Sequence, residues 1–125
     1  MNLDEILCKV EKPARYTGGE LNAVYKENAQ VRFVFAFPDV YEIGMSHLGG
    51  KIIYGLLNAR EDTLCERVYA PWADMEQLMR ENEIKLFSLE SRRPVAEADF
   101  VGFTLQYELS YSNVLNMLDL ASIPI

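Results

Sequence analysis

The chain has 125 residues, half of them hydrophobic and a quarter charged, with a net charge of −7. This length suits one modest core rather than two full domains, and the composition is that of a soluble globular protein. Phosphate backbones are bound by clustered Lys and Arg, and only Arg92-Arg93 stand together, so direct nucleic-acid binding is not expected. No apolar run approaches the ~20 residues that span a bilayer, and the acidic start MNLDEILCKVEK is no secretory signal.

Residues 1–12 place Leu3, Ile6, Leu7 and Val10 at helical spacing. The stretch ARYTGGELNAVYK, with Gly18-Gly19 between two short runs, predicts a hairpin. Residues 1–30 therefore read as a helix and hairpin extension. VRFVFAF then predicts a strand buried on both faces, stopped by Pro38-Asp39. A helix is expected from about Ser46, as N-cap, to Asn58, with Leu48, Ile52, Ile53, Leu56 and Leu57 on one inward stripe.

LCERVYA predicts the second strand, and a helix over roughly 73–82 follows with Met75, Leu78 and Met79 inward. IKLFSLES predicts a third strand and DFVGFTLQ a fourth. SYSNVLNMLDLA predicts a last helix with Val114, Leu115, Leu118 and Ala121 inward. Alternating strands and helices imply right-handed crossovers in a mostly parallel, open, Rossmann-like α/β sheet. The sheet is one strand short at SIPI, so residues 31–125 read as a partial domain of a longer chain.

Cys8 and Cys65 lie far apart with no CxxC spacing, which fits reduced thiols in a cytoplasmic protein and supplies no metal motif. In open α/β sheets ligands sit at the carboxyl ends of the strands. Three loops belong to that edge: residues 38–47, 70–74 and 105–112. They bring Asp39, Glu42, Gly44, Ser46, His47, Gln106, Tyr107 and Tyr111 toward one another, with Thr104 beside them and Gly49-Gly50 allowing close approach. No GxGxxG or Walker sequence is present, which disfavours a standard nucleotide-phosphate loop. Asp39 and Glu42 are a conceivable acid/base pair, but Asp is also favoured in turns for its local hydrogen bonding.

The motifs PDVYEIGMSHLGG and GFTLQYELSYSNVLNMLDLA, with ERVYAPWADMEQLM and the leading KPARYTGGELNAVYK, carry a family signal. From about Lys12 to Ile125 the chain resembles the N-terminal region of radical SAM proteins that join a cobalamin-binding-like Rossmann domain to a radical SAM barrel. The resemblance implies cobalamin as the cofactor of this domain, with Gly44, Ser46, His47, Gly49, Thr104, Gln106, Tyr107 and Tyr111 as its contacts. It also implies a [4Fe–4S] cluster and S-adenosylmethionine in the barrel of the parent chain, which is then the partner of this module; none of the barrel's CxxxCxxC cysteines stands in these residues. Base-off cobalamin proteins use Asp-x-His-x-x-Gly; here His47 and Gly50 keep that spacing while Met45 stands where the Asp belongs, which weakens the case for His47 as a cobalt ligand. Thr104-Leu105-Gln106 likewise replaces the later Ser-x-Leu pattern. Two readings follow: a cobalamin-binding-like accessory module, or an α/β docking module that holds no cofactor. A receiver-like module is disfavoured, because no acidic pair precedes the first strand.

Overall fold

A computed structural model describes residues 2–125. Its frame is a three-stranded, all-parallel sheet in the order β2-β1-β3, formed by β1 (Val31–Phe37), β2 (Thr63–Tyr69) and β3 (Phe100–Phe103). β1 pairs with β2 along its whole length, Val31 opposite Thr63 through Phe37 opposite Tyr69. Phe33 opposite Phe100 sets the register with β3. The predicted α/β class, open sheet and crossover helices are present.

Two helical layers cover the sheet. On one face α1 (Leu3–Leu7), α5 (Ala73–Glu81) and α6 (Ser110–Leu120) pack Ile6, Met75, Met79, Met117 and Leu120 on Val34, Ala36 and Val68. α1 opens with a reciprocal cap in which Asn2 and Glu5 each accept the other's backbone N–H. On the opposite face α3 (Tyr41–Met45) and α4 (Leu48–Asn58) cover Phe35, Phe37, Cys65 and Tyr69. Among α6 residues expected inward, Ala121 is buried, Val114 and Leu118 are half-buried, and Leu115 is exposed; Met117 and Leu120 take the core.

The structure corrects three expectations. Residues 16–25 form no hairpin: Tyr16 is buried in the short helix α2 (Ala14–Thr17), and Gly18 and Gly19 take positive φ where the chain leaves it. The segment that follows bonds to side chains rather than to a partner strand. Val24 N donates to the Tyr54 hydroxyl at 2.8 Å, and Lys26 Nζ donates to the carbonyls of Asn58, Arg60 and Thr63 at 2.6–2.7 Å.

Residues 84–91 add no strand to the sheet either. They run beside β2 with one backbone bond, Leu89 N to Arg67 O, and then turn so that Phe87 bridges Pro94 in antiparallel sense. Carboxylates take ladder positions there: Glu90 accepts from Arg67 N, and Glu66 accepts from Ser91 N. An amide satisfied by a side chain leaves nothing for a ladder bond.

The third correction concerns α4. Its N-cap is His47, not Ser46, because α3 already occupies residues 41–45. Its inward residues are Gly50 and Tyr54, with Leu57 half-buried beside them. Of the predicted inward stripe only Leu57 turns inward; Leu48 is 69 % exposed, Ile52 53 %, Ile53 39 % and Leu56 68 %.

Candidate functional site at the carboxyl edge of the sheet

The carboxyl ends of β1, β2 and β3 lead into residues 38–47, 70–72 and 104–109, so the topology does bring the predicted loops to one edge. Two bonds knit that edge. Ala70 N donates to Asp39 O at 2.8 Å, and Asn113 Nδ2, on α6, donates to Pro38 O at 2.9 Å.

The glycines of the first loop serve close packing. A Cβ on Gly44 would lie 2.1 Å from two ring carbons of Tyr69, and one on Gly50 would lie 3.1 Å from the Phe35 ring. The space above these glycines is thus filled by the protein's own aromatics. Gly44→Ala is expected to cost about 1–3 kcal/mol by overpacking, because Tyr69 is itself buried between Phe37 and Tyr41. Denaturant unfolding of the two proteins measures this; equal midpoints would show that the edge is loosely packed.

His47 is committed locally. Its Nδ1 accepts the Gly50 N–H at 3.0 Å, and its ring lies 5.0 Å from that of Phe37. With Nδ1 accepting, the neutral ring carries its proton on Nε2. A metal-ligating histidine needs the opposite arrangement, with one nitrogen on the metal and the other donating to an acceptor such as a carboxylate. Met45, where that motif's Asp would stand, turns its sulfur to Arg67 Nη1 at 3.6 Å. These residues do not fit a His47–cobalt bond. Among the described residues, no group of three or more His, Cys, Asp or Glu is placed to hold a metal ion.

The other predicted contacts share the edge as separate, mostly exposed groups. Ser46 Oγ donates to Glu42 O, and Gln106 Nε2 donates to Thr104 Oγ1. Tyr107 and Tyr111 are half exposed. Asp39 and Glu42 do not face each other as an acid/base pair. Asp39 accepts the neighbouring Val40 N–H, and Glu42 is hydrogen-bonded to Arg15 at 2.9 Å, which holds its carboxyl below the usual range. Arg15 in turn lies over the Trp72 ring. A small, mostly apolar cleft beside them, with room of only about 20 Å³, is lined by Arg15, Tyr41, Tyr69, Pro71 and Met75.

The most concentrated polar chemistry lies inside the module, where sequence reasoning did not place it. On one face of β2, Glu66 is fully buried and accepts from Arg32 Nε, from Ser88 Oγ at 3.3 Å and from Ser91 N at 2.8 Å. Burial opposes its ionised form, and the Ser91 and Arg32 hydrogen bonds outweigh that, holding the carboxyl below its ordinary value. On the other face, Arg67 donates from Nε to Glu90 at 3.0 Å and lies over the Tyr54 ring, 4.0 Å from its centre. Its Nη2, which makes no hydrogen bond, is 3.6 Å from Glu20 Oε2. Burial pushes the Glu90 carboxyl up to about 7, with Arg67 pulling the other way. Burial likewise pushes the Cys65 thiol up to about 12, so it stays protonated and unreactive near neutrality. The signal available in the sequence was a charged pair, Glu66-Arg67, in the middle of the predicted second strand.

Residues 49–125, more than half of the chain, match the family model described as radical SAM proteins, N-terminal. The chain belongs to that family. No curated protein and no solved structure matches it. The match to this radical SAM N-terminal module covers α4, β2, α5, β3 and α6, hence both faces of the sheet and two of the three edge loops. It implies a larger parent chain with a radical SAM domain. Among the described residues, no helix is long and apolar enough to cross a membrane.

Proposed function

We propose that this chain is a non-catalytic accessory module that docks on the barrel of its radical SAM parent enzyme and positions it, without a cobalt–His47 bond. The observation that carries this reading is the use of the edge glycines and His47 for internal packing and capping. The iron–sulfur cluster and S-adenosylmethionine belong to the barrel, and the module's contribution is a rigid docking body. A corrinoid at the carboxyl edge is the second reading. It is favoured by the exposed Tyr107 and Tyr111 on the segment that follows Thr104 and Gln106, at the same sheet edge as Ser46. These are polar and aromatic groups at the place where open α/β sheets take ligands.

The full-length protein, purified anaerobically and titrated with hydroxocobalamin, tests both. Iron–sulfur absorbance with no corrinoid uptake is the expected result. Corrinoid uptake that survives His47→Ala would select the second reading, and uptake abolished by His47→Ala would overturn the account of His47. Absence of iron–sulfur absorbance would remove the enzyme assignment.

A further inference from the structure

Helix α4, LGGKIIYGLLN, carries one charged residue, Lys51, in a module whose net charge is −7. A helix on a protein surface is normally apolar toward the core and charged toward water. α4 buries Gly50 and Tyr54 against the sheet and turns Leu48, Ile52 and Leu56 outward, one turn apart on a single ridge. Ile53, 39 % exposed, widens that ridge on one flank. Scattered apolar surface residues need no explanation, but a continuous ridge with no charge in it marks an interface. Lys51, exposed, stands beside this ridge rather than in it.

We infer that the outer face of α4 is covered in the intact enzyme by an apolar, uncharged helix face from another part of the same polypeptide. The size of the ridge selects this occupant over a second copy. Eleven residues make a helix about 16 Å long, and one such ridge falls well short of the ~800 Å² per partner of a stable association between separate chains. A segment of the same chain has no such threshold, because its tether supplies a high effective concentration. Ridge-into-groove packing along residues four apart then fits a crossing helix, and Gly49 beside the ridge allows its close approach. The inference rests on the reading of this chain as one module of a larger enzyme.

Hydroxyl-radical footprinting of the unmodified full-length protein tests it without any substitution. The expected result is that Leu48, Ile52 and Leu56 are oxidised at least fivefold more slowly than Leu21, which stands fully exposed in this module. A second measurement uses a Cys8→Ser background, since Cys8 is the exposed native thiol. There Ile52→Cys should react with maleimide at least tenfold more slowly than Gln77→Cys on the exposed side of α5. Oxidation and labelling at comparator rates would overturn the inference. Protection that vanishes on dilution would overturn it too, by assigning the ridge to a second copy. An active iron–sulfur enzyme with α4 freely labelled would sink this inference alone, whereas protection in a protein without iron–sulfur absorbance would sink the functional reading alone.

Discussion

Glu66→Ala is expected to lower unfolding stability by about 3–5 kcal/mol, the largest single effect in the module. The Arg32 guanidinium is nearly as buried as the Glu66 carboxylate, and its other contacts are the Ser88 hydroxyl and the carbonyls of Arg93 and Pro94. Removing the carboxylate therefore strands a buried cation and also leaves Ser91 N without its acceptor. Replacing both partners with apolar residues, as in Arg32→Met with Glu66→Leu, should recover much of the loss, since desolvation offsets most of the gain from such a pair. Urea unfolding of the two single variants and the double variant measures the coupling. A Glu66→Ala protein within about 1 kcal/mol of wild type would show that water reaches the pair.

The second large effect depends on pH. Glu90 is buried, and its carboxyl is pushed from an ordinary 4.5 up to about 7. Between those two values the folded state holds a proton that the unfolded state has released, so stability falls as pH rises across that window. The stabilising contribution is complete below about 4.5 and gone above about 7, a difference on the order of 3 kcal/mol. Glu66 acts in the opposite sense: its carboxyl is held down, so its contribution is present above its ordinary value and lost as pH falls below it. The two windows separate. Unfolding midpoints from pH 4 to 8 should show a declining limb that Glu90→Gln flattens. A limb unchanged in Glu90→Gln would assign the dependence to another group.

The sheet was legible because its strands are local patterns. VRFVFAF is β-branched and aromatic without interruption, and it folds as the central strand over the same residues. α5 was legible because Met75, Leu78 and Met79 stand at helical spacing on a helix whose other face is polar. The orientation of α4 was not, since nearly every residue in it is apolar and no polar stripe says which side meets water. Its inward choice is made by shape: Gly50 lets the helix approach Phe35, and Tyr54 buries its ring while its hydroxyl accepts the Val24 N–H. The buried ion pairs were hidden for a different reason. Glu66 meets Arg32 and residues 88–91, and Arg67 meets Glu90 and Glu20, all distant in sequence. The edge loops were placed correctly by topology, but what their side chains touch is set by α3, a helix that the Pro38-Asp39 turn concealed.

The lysine at position 26 has a bearing on the order in which the chain assembles. Its ammonium collects carbonyls from the last residue of α4, from the turn after it and from the first residue of β2, between 32 and 37 positions downstream. Those three oxygens converge only after α4 has folded back and β2 has begun to pair. The N-terminal segment leaves the ribosome first, yet it cannot latch until residue 63 is in place. Closure of this latch is therefore expected to follow the central crossover.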